Sequence, residues 1–166
     1  MSKAIAKYKA LKSAADKAKS GMQKVAKEAL GEMTAKFFAQ NPSITGIGWT
    51  QYDRDDEYFS GFYVSKYPLL AFKAKDGREL RFNSNSGELA CKGPLVLDGI
   101  EFEQDEDYDE KQEELYYKEA WKHCKAVELF LKSLGADDLE NMFGGDVLIT
   151  INRDGKVTTK DYYENS

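Results

Sequence analysis

The chain has 166 residues, 42% of them hydrophobic and 32% charged, with a formal net charge of −5. A chain of that length folds as one domain and buries roughly 70% of the surface its unfolded form exposes, so it holds a core without staples. The composition excludes a disordered chain, and the sequence offers neither a membrane-spanning apolar run nor the apolar stretch of a secretory signal.

The net charge conceals two opposed ends. Residues 1–40 carry nine lysines against Asp16, Glu28 and Glu32, a net of +6, whereas residues 98–119 carry eleven acids against Lys111 and Lys118, a net of −9. Such polarity favours encounter with a charged partner and says nothing about fold. The two cysteines, Cys91 and Cys124, are too few for a disulfide framework and lack the paired spacing of a zinc site. Reduced thiols in a cytoplasm is the reading.

The first element is a helix over about Lys3 to Gln40. Ala4, Tyr8, Leu11, Ala15, Ala18, Met22, Val25 and Ala29 follow one another in alternating steps of four and three. That is a seam repeating every 3.5 residues, the pattern of a coiled coil, and it predicts a homodimer or higher oligomer through residues 4–29. The flanking lysines make a parallel copy a poor partner. Gly21 marks a break or a close helix crossing, and Asn41-Pro42 stops the helix, since the residue before proline resists the α region.

Strands follow at Ile44–Thr50, Tyr58–Lys66, Leu69–Lys75 and Glu79–Asn83, all rich in branched and aromatic residues. Asp76-Gly77 closes a hairpin, Ser84-Asn85-Ser86-Gly87 is a turn, and Leu95–Leu97 with Ile100–Glu103 reads as a further hairpin around Asp98-Gly99. A second helix spans Asp109 to Leu134. Its buried stripe is expected at Leu115, Cys124, Val127, Phe130, Leu131 and Leu134, and Gly135 stops it. A helical turn at Asp137–Phe143 precedes a last hairpin, Val147–Ile151 and Lys156–Tyr162, around Asp154-Gly155. The order predicts an α+β fold: a long N-terminal helix, an antiparallel sheet of about five to seven strands, and a second long helix packed on the sheet. Residues 1–40 form the basic helix and 41–166 the globular part, as one folding unit.

Signals for chemistry are weak. Asp105, Asp107 and Asp109 alternate like a calcium loop, but Glu110 stands where the glycine of the turn belongs and Tyr116 where a carboxylate should close it. The lone histidine, His123, is expected at the surface beside a buried Cys124, and adjacent helical residues point about 100° apart, so they form no nucleophile–base pair. Only a meeting of Cys91 with His123 in space would change that. Gly46-Ile47-Gly48 lacks the third glycine of a dinucleotide loop, and Gly144-Gly145 reads as a turn. The sequence calls for no metal, no cofactor and no catalytic residue.

Binding is the remaining class. Asp105, Glu106, Asp107, Asp109 and Glu110 form an acidic interaction patch, either for the basic helix of a neighbouring subunit or of the same chain, or as a mimic of nucleic acid. Trp49, Gln51, Tyr52, Arg54 and Asp56 form a second candidate surface, suited to a nucleotide or another small ligand, with Trp49 and Tyr52 also expected as core and rim of a sheet. Nucleic acid could meet the lysine-rich helix; the missing arginines and the acidic segment argue against it. Membrane binding by a helix whose apolar face is mostly alanine would be feeble.

The stretch Trp49-Thr50-Gln51-Tyr52, the Tyr58-Phe59-Ser60-Gly61 turn and the ending Gly145-Asp146-Val147, Arg153-Asp154-Gly155 and Tyr162-Tyr163 resemble a loose group of small tailed-phage proteins. These pair an N-terminal helix with a W-x-Q-Y strand, a Tyr-Phe-x-x-Gly turn that Tyr58–Gly61 matches one residue short, and a Gly-Asp hairpin. The likeness covers both ends of the sheet region and not its middle. The chain departs from the pattern at Asp53–Glu57, where the group has a Thr-Pro turn, and in its final Tyr-Glu-Asn. The resemblance implies a phage origin and a shared fold, and no mechanism. The expectation is a non-enzymatic protein that binds a host or phage protein in the infected bacterial cytoplasm.

Overall fold

The computed structural model describes residues 2–55, 57–58, 60–91 and 110–162, with the side chain of Glu110 excepted. Helix α1 (Lys3–Gln40) begins where the Ser2 hydroxyl accepts the Ile5 N–H at 3.2 Å, an N-cap that satisfies one of the free amides of the first turn. It runs uninterrupted through Gly21, so the glycine is no break, and open space lies beside it within this chain. It stops at Asn41, whose side-chain amide donates to the Phe37 carbonyl at 2.9 Å, one residue before Pro42.

Seven strands form one antiparallel sheet: β1 (Ile44–Asp55), β2 (Ser60–Val64), β3 (Leu69–Lys73), β4 (Glu79–Asn83), β5 (Glu88–Ala90), β6 (Val147–Asn152) and β7 (Val157–Asp161). The order across it is β5-β4-β3-β1-β6-β7. One edge of β1 takes β3 opposite residues 44–48 and then β2 opposite residues 51–55, while β6 covers residues 46–51 on the other edge. Helices α2 (Glu110–Leu134) and α3 (Ala136–Phe143) lie between β5 and β6 in the chain. The α+β fold is the one the element order predicts. β1 runs five residues past its predicted end at Thr50, and β5 follows the Ser84–Gly87 turn unannounced. The expected hairpin at residues 95–103 lies outside the described residues.

Period-two alternation puts Ile47, Trp49 and Gln51 of β1, Leu70 and Phe72 of β3, and Ile149 and Ile151 of β6 on one face. All seven are fully buried. They pack against Tyr116, Ala120, Cys124, Val127, Leu131 and Leu134 of α2, Leu139 and Met142 of α3, and Leu30, Phe37 and Phe38 of α1. The α2 stripe corrects the predicted one at two positions: Leu115 is exposed and Phe130 only partly buried, while Tyr116 and Ala120 complete the run instead. Steps of four, four, three, four and three from 116 to 134 give a tighter helical face than one that includes 115.

Polar contacts lock two joints. The Arg153 guanidinium donates to the Asn41 carbonyl at 2.7 Å and to the Ile44 carbonyl at 2.6 and 3.1 Å, with Phe38 against its plane, so the β6–β7 turn holds the end of α1. Gln51 is the other. Its side-chain N–H groups donate to the Leu139 carbonyl at 2.9 Å and the Gly144 carbonyl at 2.6 Å, and its oxygen accepts the Trp49 indole N–H at 3.1 Å. A buried amide with its donors and acceptor matched rigidifies a core; an unmatched one destabilises it. Gln51→Leu therefore strands the Gly144 carbonyl and the Trp49 indole N–H and removes the second donor to the Leu139 carbonyl, and is expected to cost on the order of 3 kcal/mol. Urea unfolding with an unchanged m-value checks this, and a loss below about 1 kcal/mol would mean that water replaces the amide.

Candidate functional site

The Trp49–Asp56 constellation does not form one surface. Trp49 and Gln51 face the core with no exposed area and are committed to each other and to α3. Tyr52 and Arg54 fall on the opposite face by strand alternation; Tyr52 stacks on its cross-strand neighbour Tyr63 with ring centroids 6.0 Å apart, and Arg54 stands opposite Gly61. Asp56 lies outside the described residues. Of the acidic patch, Asp105, Glu106, Asp107 and Asp109 also lie outside them, and Glu110 opens α2 with its side chain not described.

Two features stand out, the first of which no sequence pattern announced. One is a cleft of about 490 Å³ between the first half of α2 and the β3–β4 turn, bordered by Ser43, Asp76, Gln112, Tyr116, Glu119 and His123. Asp76 occupies the turn itself, where its Oδ1 accepts the Arg78 N–H at 3.0 Å. Its Oδ2 accepts from the Tyr116 hydroxyl and the Gln112 amide. The Tyr116 hydrogen bond, followed by the Arg78 N–H, holds the Asp76 carboxyl below its ordinary pKa. Burial, then the bond to Asp76, pushes the Tyr116 phenol up to about 12. A phenol that keeps its proton and a carboxylate whose oxygens are occupied make a latch between helix and hairpin, with neither group poised as a general base. The signal for Tyr116 was in the stripe: a tyrosine four residues before Ala120 turns its ring inward and needs a partner for its hydroxyl.

His123 borders the same cleft, and the expectation of a surface histidine is corrected. The ring lies 5.4 Å from Phe72, and Nε2 is buried 3.6 Å from Glu119 Oε1, too far for a hydrogen bond. Among the described residues its polar and ring contacts are with Glu119 and Phe72, not with Cys91. Cys124 points into the core, as expected, and burial raises its thiol to about 12, far from a reactive thiolate. Among the described residues no three carboxylate, histidine or cysteine side chains cluster to hold a metal ion.

The second feature is α1. Every residue from Ser2 to Met22 is exposed, roughly 30 Å of helix at 1.5 Å per residue. Contact with the domain begins at Gln23, which donates to the Asn141 carbonyl of α3 at 2.7 Å, and continues through Ala26, Leu30, Thr34, Phe37 and Phe38. That stripe lies about 100° around the helix from the 3.5-residue seam, so the seam stays bare along its whole length: Tyr8, Leu11, Met22 and Val25 are each more than 60% exposed. No described helix is long and apolar enough to cross a membrane. The chain matches no protein-family model, no curated protein and no solved structure.

The lone histidine makes one pH effect attributable. Burial disfavours the His123 imidazolium, with Lys122 adding to that and Glu119 opposing it, so its folded-state pKa lies below the ordinary value. Between that lowered value and about 6.5 the unfolded chain holds the extra proton. Stability is therefore complete above about pH 6.5 and falls as pH drops through the folded pKa. Melting temperatures from about pH 7 down to 5 should decline more steeply for the native chain than for His123→Gln. Parallel profiles would mean that the ring is solvated.

Proposed function

We propose that this protein acts without chemistry, by binding another protein, and that the free half of α1 is the docking element. The setting we propose is the cytoplasm of a phage-infected bacterium, with a host or defence protein as partner. One observation carries the reading: some twenty residues of lysine-rich helix project with no partner among the described residues of their own domain. Helices in proteins draw most of their stability from tertiary packing, so a helix extended so far beyond its core is shaped for something outside the chain. Lys9, Lys17 and Lys24 lie on the side of α1 away from the apolar seam, by the helical period, and offer an acidic partner a row of charges. Long-range attraction of that kind raises association rates and selects partners by charge. The latch chemistry of the Asp76–Tyr116 cleft supports no competing catalytic reading.

Pairwise capture tests it. The native chain and the Lys9→Glu/Lys17→Glu/Lys24→Glu variant are used as bait in the same bacterial lysate at low salt. The three sites are exposed, so equal melting temperatures are expected. The variant should lose the partner held by the native chain. Equal capture by both would sink the lysine face, and capture abolished by nuclease would give the helix to nucleic acid.

A further inference from the structure

A different face of α1 carries an inference that stands apart from the lysine row. We propose that the bare seam is the interface of an antiparallel homodimer, centred between Ala15 and Ala18.

The seam is symmetric about that point. Its steps read four, three, four, three, four, three, four in either direction. A second α1 laid antiparallel therefore matches every apolar position to another: Ala4 to the partner copy's Ala29, Tyr8 to Val25, Leu11 to Met22, Ala15 to Ala18, and each in reverse. Large residues fall in the layers on both sides of the centre, and the central layers are alanine. With Ala14 and Gly21 on the flank and open space beside Gly21, the two backbones can approach closely where they cross. A parallel copy would instead set Tyr8 on Tyr8 and lysine beside lysine.

Charge selects the same arrangement. In heptad terms Tyr8, Ala15, Met22 and Ala29 are a positions and Ala4, Leu11, Ala18 and Val25 are d positions, which makes Lys7 and Glu28 flanking g positions. In the antiparallel register Lys7 of one copy faces Glu28 of the other, twice by symmetry. Lys12 and Lys19 face one another on the opposite flank, a like-charge contact, but Asp16 lies one turn from each along its own helix and offsets it. A parallel pair would put Lys7 against Lys12 and gain nothing in return. Helix dipoles add to the preference, since antiparallel neighbours bring opposite ends together. Pairing also gives residues 3–22 packing that the described residues of their own domain do not supply.

The test uses the whole chain. Light scattering should give twice 18.8 kDa at high concentration, with dissociation on dilution. Lys7→Glu alone sets glutamates against Glu28 and should weaken the dimer about tenfold; Lys7→Glu/Glu28→Lys restores it, a rescue that a parallel pair cannot show. In a Cys91→Ser background, mixing an Ala4→Cys chain with an Ala29→Cys chain should trap the mixed disulfide in preference to either symmetric one. All these seam and flank positions are exposed, so the fold itself is untouched. A mass of 18.8 kDa at every concentration overturns the proposal, and so do a preferred Ala4→Cys homodisulfide or a double charge swap without rescue. Because none of these variants alters Lys9, Lys17 or Lys24, failure here leaves the lysine-face reading standing, and the capture experiment can fail with the dimer intact.

Discussion

The amide of Gln51 is the polar contact on which the packing of this domain turns. It sits at the middle of the covered face of β1, fully buried, and holds α3 by two carbonyls while fixing the Trp49 indole. An apolar side chain there would leave the Gly144 carbonyl without its donor and Leu139 with its helical partner alone. With the amide in place, the turn can adopt the left-handed backbone of Gly144 (φ 76) and Asp146 (φ 53) and deliver Val147 into β6 opposite Gln51 itself. One residue thus sets the register of the central strand pair and the seating of the helix above it.

Around that strand the molecule divides its labour along α1. The last half of the helix is structural: Leu30, Phe37 and Phe38 reach the core, Phe37 packs on Phe130 with ring centroids 4.7 Å apart, and Arg153 ties the helix end to the far hairpin. The first half is exposed throughout and touches no other described part of its domain. Because a helix transmits orientation rigidly, anchoring residues 23–40 fixes where residues 3–22 point. A partner or a second copy would meet a surface already ordered, which lowers the entropy lost on binding.

The cleft between α2 and the β3–β4 turn resembles a site in outline but not in chemistry. Burial and then Asp76 raise the Tyr116 phenol, Tyr116 lowers the Asp76 carboxyl, and the bond between them fastens the hairpin tip to the helix. Perturbed ionisation marks function only when the group remains available to a reactant. His123 is the exception in kind: its buried Nε2 has no hydrogen bond among the described residues, and burial holds its pKa below the ordinary value.

The sequence by itself determined the local elements and the class of fold, because those follow from near-neighbour physics. The period of α1, the Asn41-Pro42 stop, the Asp76-Gly77 and Asp154-Gly155 turns and the β-rich runs are each legible within a few residues. The alternation along β1 was legible as far as Thr50; only its continuation to Asp55 sets Gln51 and Tyr52 on opposite faces. What only the tertiary structure decided was where each polar side chain finds its partner. Gln51 meets Leu139 and Gly144 some ninety positions away, Tyr116 meets Asp76 forty positions away, and Leu115 turns outward because Tyr116 turns in. The bare seam shows the same division. Its 3.5-residue repeat was written in the sequence, but whether the domain itself would cover it depended on the angle at which α1 leaves the core, and that angle is set by Leu30, Phe37, Phe38 and Arg153 acting together at long range.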